Sequence, residues 1–218
     1  QTPQGFRVAT LRKGFENATG DFTDEAGLLE SQGVKTAIVL GHEHGFKVTT
    51  PNDLERARAI FTDVRSGIGV DAHQFGEQGK LMLGCLEWEG YPALAGHSDG
   101  DSVAHAVVDA LLSAAGLGDI GSNFGTSRNE YAGASGELFI TETLKLLAEA
   151  GFQPANVAVQ IVAEEPKIGP RRHELEHHLS EVVGAPVSVL ATTTDGLGFL
   201  SDSRGVAAVA TALVQSRS

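Results

Sequence analysis

Asp71-Ala72-His73, followed thirty-two residues later by His105, brings together the residue types that hold a divalent metal. Asp71 and His73 are two apart, so on a strand their side chains leave from one face. His105 falls in the segment 101–115, read as a helix on which Asp101, His105 and Asp109 stack at i, i+4 and i+8. One carboxylate and two imidazoles with a fourth position open make the donor set of a zinc ion that meets a substrate. Taken alone, the three residues read equally well as a surface Asp-x-His and a helix histidine that never meet.

Four other patterns carry chemistry. His173-Glu174-Leu175-Glu176-His177 fits H-E-x-x-H, the zinc-peptidase signature. Its helix would bury Leu175, Leu179, Val182 and Val183 and leave both histidines among acidic residues on the opposite side, which a solvated face explains fully. Gly116-Leu117-Gly118-Asp119-Ile120-Gly121 matches G-x-G-x-x-G but follows a helix, whereas a dinucleotide loop must follow a strand. A glycine C-cap and turn is the better reading, with Asp119 placed to face the open metal position. Ala191-Thr192-Thr193-Thr194-Asp195-Gly196 sets three hydroxyls and a carboxylate in a turn after a strand, suited to phosphate oxygens and magnesium. Ala163-Glu164-Glu165-Pro166-Lys167-Ile168-Gly169 is a second such loop, with a lysine for an anion.

The elements that must position these residues form two blocks. In the first, 24–32 reads as a helix and 36–40 as a strand. A further helix runs over 54–61, with Thr50 as N-cap, Pro51 at its first position and Asp53 closing a capping box. That is too little to bury a firm core. In the second block, 68–73 and 81–88 read as strands joined by a turn over 76–79, and Ser98 as the cap of the 101–115 helix. Helices are expected over 136–149 and 171–183, and strands over 157–162 and 187–191. Residues 205–214 are small and apolar throughout, and periodicity leaves helix and strand both open.

Composition narrows the function. With 28 acidic against 16 basic residues and a net charge of −12, the chain lacks the clustered positive charge of a nucleic-acid groove. A lone Cys85 excludes an internal disulfide and fits a reducing, cytoplasmic compartment. No apolar run approaches the roughly 20 residues that span a bilayer. The chain opens at Gln1 without an initiator methionine, and its start is read as cut.

In order and spacing, these motifs resemble the 2-C-methyl-D-erythritol 2,4-cyclodiphosphate synthase family of non-mevalonate isoprenoid biosynthesis. The resemblance runs from about Ser66 to Val214. It rests on Gly69-Val70-Asp71-Ala72-His73, Ala95-Gly96-His97-Ser98-Asp99-Gly100-Asp101, His105, the 116–121 turn, Pro166-Lys167 and Ala191-Thr192-Thr193-Thr194-Asp195. It implies an α/β fold, a small mixed β-sheet with helices packed on one side, forming homotrimers with active sites between neighbours. Residues 1–63 resemble the C-terminal part of 2-C-methyl-D-erythritol 4-phosphate cytidylyltransferase, through Gln1-Thr2-Pro3-Gln4-Gly5-Phe6, Thr23-Asp24-Glu25-Ala26 and Phe46-Lys47-Val48-Thr49. A glycine-rich nucleotide loop is not among them. The chain is therefore expected to be a fragment of a bifunctional fusion, 1–63 a cytidylyltransferase remnant and 66–218 the synthase domain.

The resemblance implies a phosphorus–oxygen lyase. It would convert 4-diphosphocytidyl-2-C-methyl-D-erythritol 2-phosphate to the cyclic diphosphate and CMP. Asp71, His73 and His105 would hold one Zn2+, Asp109 would orient a ligand histidine, and Mg2+ or Mn2+ would arrive with substrate near Asp195. The catalytic residues would be Asp119, Lys167, Thr193 and Asp195. Those four, with His97, Ser98, Ala163, Gly169 and Thr192, would bind substrate. The chain departs from the family at Gly125-Thr126-Ser127-Arg128, at Asp195 where glutamate is common, and at Ser201-Asp202-Ser203-Arg204. Three rivals remain: a zinc peptidase through His173 and His177, a non-catalytic metal-stabilised oligomeric module, and an active cytidylyltransferase, disfavoured by the missing loop.

Overall fold

Capping residues organise the first of two compact units, Gln1–Phe61 and Thr62–Ser218. The computed structural model describes residues 4–76, 79–96, 98–125, 131, 133–198 and 204–217. In the first unit, α1 (Val8–Glu16) packs on α2 (Glu25–Ser31), whose N-cap Asp24 accepts a hydrogen bond from Gly27 N. Leu28 and Leu29 are its buried apolar side chains. At α3 (Pro51–Phe61), Asp53 N donates to Thr50 Oγ1 (3.2 Å) and Thr50 N donates to Asp53 Oδ2 (2.9 Å), the reciprocal box expected there. The expected strand over 36–40 is not formed. Ile38, Val39 and Leu40 stand almost fully exposed. An extended segment becomes a strand only with a ladder partner, and no strand occurs among the described residues of this unit.

The second unit is built on a four-stranded sheet in the order β1-β6-β4-β5, from β1 (Val64–Gln74), β4 (Phe152–Val162), β5 (Val187–Thr192) and β6 (Gly205–Ser216). β6 runs antiparallel to both β1 and β4, and β4 parallel to β5. The undecided 205–214 segment is thus a central strand. Its small residues suit it to a partner on each side and a helix overhead.

The segment 81–88 is not one strand but a hairpin, β2 (Leu81–Leu83) and β3 (Leu86–Trp88). Gly84 (φ 61°) and Cys85 (φ 63°) between them are both left-handed, the signature of a type I′ turn. The Gly-Cys pair lacks the Asn-Gly or Asp-Gly of the usual signal, so the turn was not legible.

Helices α4 (Ser102–Ala115) and α6 (Gly136–Glu149) cover one face of the sheet, with the short α5 (Ile120–Phe124) between them in sequence. α7 (Arg172–Val183) packs beside β5 at the sheet edge, where Val187 N donates to Ser180 Oγ and Val189 N to Glu176 Oε1. These bonds use edge amides that would otherwise template another strand.

α4 is buried nearly all round, as a central helix must be. It lies directly on β1 because Gly67 and Gly69 have no side chains. A Cβ on Gly69 would collide with the backbone of Ala106 and Ala110, and one on Gly67 with the backbone of Ala110 and Ala114. Gly69→Ala should therefore lower stability by about 1–3 kcal/mol through overpacking. Urea unfolding of the variant measures this, and an unchanged midpoint would show that the contact gives way freely.

Candidate active site

Gly67, Gly69, Asp71 and His73 alternate onto one face of β1, the face toward α4. The two glycines admit the helix, and the next two residues on that face meet His105 from it. Asp71 Oδ2 lies 2.8 Å from His73 Nε2 and 3.1 Å from His105 Nδ1. One ligand atom from each of the three lies within 4.8 Å of the others. Among the described residues, no other trio of histidine, cysteine and acidic groups meets this condition.

The outer ring nitrogens are anchored. His73 Nδ1 is 2.6 Å from Ala95 O, and His105 Nε2 is 3.1 Å from Ser98 Oγ. A carbonyl only accepts, so His73 carries a proton on Nδ1; Nε2 donates to Asp71 in the imidazolium form, and in the neutral ring its lone pair is available to a metal. Metal-bound histidines are oriented in this way. Burial pushes the Asp71 carboxyl up, but hydrogen bonds from His105 and His73 outweigh it and hold the group well below the usual carboxylate range. Asp71 in turn raises His73. The donor set suits a divalent transition metal.

The anchoring differs from the expectation at two residues. Ser98 does not cap α4. The N-cap is Asp101, whose Oδ1 accepts from Val103 N (3.1 Å) and Ala104 N (3.0 Å). Ser98 instead points at His105. Nor does Asp109 hold a ligand histidine: its Oδ1 accepts from Ile120 N at 2.7 Å and so fixes the start of α5. Spacing placed Asp109 one turn beyond His105 but could not show that a later loop would fold back onto it.

Asp101 is fully buried and also accepts from Gly84 N (2.8 Å) and Cys85 N (2.6 Å), so the hairpin turn is tied to the first turn of α4. Asp99 Oδ2 accepts from Gly136 N at 2.7 Å and links the same loop to the start of α6. Burial raises the Cys85 thiol, which removes it as a nucleophile.

The candidates on the loops after β4 and β5 lie at the sheet end at which β1 finishes. Ala72, Ala207, Val162 and Thr192 are at one level across β1, β6, β4 and β5. The loops after β4 and β5 therefore emerge beside each other, two and three strand spacings from β1, or about 10–14 Å. Glu164 joins them by accepting from Thr194 N (2.9 Å) and Thr194 Oγ1 (2.7 Å), and the hydroxyl bond lowers its carboxyl. Sequence reasoning gave Glu164 no role, since nothing in its spacing names Thr194.

In these loops Lys167 Nζ donates to Glu164 O, Thr193 Oγ1 donates to Asp195 Oδ1, and Ala163 N donates to Thr192 O. Gly169 opens a single 3₁₀ turn, Gly169–Arg171. Asp119 caps α5 reciprocally with Ser122, after Gly116 has ended α4 in the left-handed conformation expected of a C-cap. His97, residues 126–128 and residues 201–203 lie outside the described residues. His173 and His177 stand exposed on α7 rather than at the cluster, and Glu174 is engaged by Arg171.

Residues 64–215 match the YgbB family. The chain belongs to that family. Residues 1–63 match the 2-C-methyl-D-erythritol 4-phosphate cytidylyltransferase family. This YgbB-family chain is 55% identical over 150 residues to a 2-C-methyl-D-erythritol 2,4-cyclodiphosphate synthase of Acidothermus cellulolyticus, covering 69% of this chain and 93% of that protein. It is 50% identical over 225 residues to a bifunctional enzyme IspD/IspF of Clavibacter michiganensis. That alignment takes in 99% of this chain and 55% of the relative, so the chain spans about half the length of the bifunctional protein. A solved 2C-methyl-D-erythritol-2,4-cyclodiphosphate synthase in its CDP-bound form superposes with a TM-score of 0.63 at 33% identity, over 69% of this chain and 99% of that one.

The anchoring of His105 by Ser98 is testable in this YgbB-family member. Ser98→Ala should lower metal affinity about tenfold or more while leaving the fold intact, as loss of a ligand-orienting partner does. Asp101→Ala should instead lower stability by at least about 2 kcal/mol, because it orphans buried amides. Chelator competition and thermal unfolding, run on both variants, separate the two effects. A Ser98→Ala protein with unchanged affinity would remove that orienting role.

Proposed function

We propose that the chain converts 4-diphosphocytidyl-2-C-methyl-D-erythritol 2-phosphate to 2-C-methyl-D-erythritol 2,4-cyclodiphosphate with release of CMP, as a phosphorus–oxygen lyase. The observation that carries this reading is the Asp71, His73, His105 cluster at the end of a sheet whose two neighbouring loops, joined by Glu164 and Thr194, offer hydroxyls and main chain. The CDP-bound relative supports a cytidine nucleotide in those loops.

The 2-phosphate oxygen attacks the β-phosphorus and the bond to the CMP oxygen breaks. The nucleophile is already an anion, so the protein needs to position it and to neutralise charge rather than remove a proton. On a chain of net charge −12, that neutralisation matters more than usual. Asp71, His73 and His105 would hold Zn2+, which when bound supplies Lewis acidity toward a phosphate oxygen. Asp119 uses Oδ1 to cap α5, so contact with the erythritol hydroxyls falls to Oδ2. Ala163 and Gly169 would take cytosine through main chain, and Lys167, Thr192 and Thr193 the phosphates. Asp195 would share Mg2+ or Mn2+ with the substrate phosphates. His97 and Ser98 complete the binding set, with Ser98 acting through His105 as well. The alternative peptidase loses its base, because Glu174 is bound in both carboxylate oxygens by Arg171.

Mass analysis of the products of purified protein should find CMP. His73→Ala should abolish it, and His173→Ala should leave the rate within about twofold, or about 0.4 kcal/mol of barrier. The first unit builds no sheet among its described residues, so CTP with methylerythritol 4-phosphate should give no product. A His73→Ala protein that still released CMP would sink the proposed centre.

We further propose a homotrimer with sites shared between subunits. What supports it is the uncovered sheet face. Ile68 and Val70 on β1, Leu190 on β5 and Leu213 on β6 are 59%, 59%, 52% and 39% exposed. Antiparallel sheets that face water carry polar residues there, whereas an apolar face marks an association surface. Sedimentation should give three chains per particle, and Val70→Asp should give monomers with little turnover. A fully active monomer would refute the shared site.

A further inference from the structure

The H-E-x-x-H segment of α7 is not explained by the reaction, yet it is more than a solvated face. His173 and His177 are one helical turn apart, and their side chains are 99% and 74% exposed. Residues at i and i+4 have Cβ atoms about 5–6 Å apart, within reach of a single ion.

Each imidazole also lies beside a carboxylate. His173 Nδ1 lies 3.2 Å from Glu176 Oε2, and His177 Nδ1 lies 3.4 Å from Glu181 Oε2. The His173 contact is a hydrogen bond and a carboxylate only accepts, so the proton of the neutral His173 ring sits on Nδ1 and its lone pair on Nε2. The Glu176 partner is itself fixed, because its Oε1 accepts from Val189 N at 3.0 Å on the edge strand. This is the carboxylate–imidazole pattern that orients metal-bound histidines.

We propose that His173 and His177 form a second, surface site that chelates a divalent transition metal through two Nε2 atoms. Water or an exogenous donor fills the other positions. Its order of preference follows imidazole chemistry, with Cu2+ held more tightly than Ni2+ or Zn2+. The site is not hydrolytic. Glu174, the residue that would serve as base, is held by Arg171 Nε at 2.7 Å and Nη2 at 2.8 Å. It shares no residue with the Asp71, His73, His105 cluster.

The test uses the metal-free full chain and chelator competition with Cu2+. Wild-type protein should take two equivalents, His177→Ala one, His73→Ala one, and the double variant none at comparable affinity. Glu176→Gln should weaken the second equivalent about tenfold, as loss of an orienting carboxylate does. Because both histidines are exposed, His177→Ala should keep the wild-type unfolding midpoint and release CMP at the wild-type rate. Wild-type protein with a single equivalent would overturn the proposal. So would a His177→Ala protein that keeps both, or a double variant that still binds one and so places the ion elsewhere, for example at His42 and His44.

Discussion

Backbone contact between β1 and α4 sets the position of the Asp71, His73 and His105 cluster. Gly67 and Gly69 let the helix approach until a Cβ on the strand would overlap helix backbone. Beyond them on the same strand face, Asp71 and His73 fill the space against His105 of the helix. One face of one strand thus changes along its length from close packing to a polar cluster of potential metal ligands. Moving α4 outward by the width of a methyl group would separate His105 from the other two residues. The glycines act at a distance on chemistry in which they take no part.

The buried Asp101 carboxylate fixes the helix lengthwise, as the glycines fix it sideways. Burial raises this group, which four backbone N–H donors surround: Gly84, Cys85, Val103 and Ala104. Two come from the first turn of α4, where a negative charge is favoured by the helix dipole, and two from an I′ turn that aims successive amides at one point. The left-handed Cys85 costs backbone energy that these bonds offset. Asp101 and His105 are one turn apart on α4, so a carboxylate that holds the helix start also holds a candidate ligand. Asp99 extends the arrangement to α6 through Gly136 N.

The sheet has two unlike boundaries. At its β5 edge, α7 uses Ser180 and Glu176 to occupy the amides of Val187 and Val189, which blunts that edge against a further strand. Its helix-free face keeps Ile68, Val70, Leu190 and Leu213 uncovered. The open apolar face is in keeping with the proposed trimer. Glu176 has a second role in the proposed surface site, since one carboxylate oxygen serves the strand and the other turns His173.

The shared face of Asp71 and His73 was legible because its signals are local. Asp71 and His73 lie two apart on a strand, and period-two alternation puts them on one face whatever lies beyond. The helices Gly136–Glu149 and Arg172–Val183 and the strand Val187–Thr192 were legible through apolar periodicity, to within a residue or two. The central position of Gly205–Ser216 was not, because small apolar residues carry no period and only two ladder partners make them a strand. The hairpin at Leu81–Trp88 was missed because its turn is enforced by a carboxylate sixteen residues away. The roles of Ser98, Asp109 and Glu164 were likewise decided by partners distant in sequence or by loops folding back. Sequence determined which residue types sit on which face of which element, since that follows from backbone period. Tertiary structure alone decided which polar atoms meet, because a hydrogen bond depends on approach within an ångström, and that distance is set by packing.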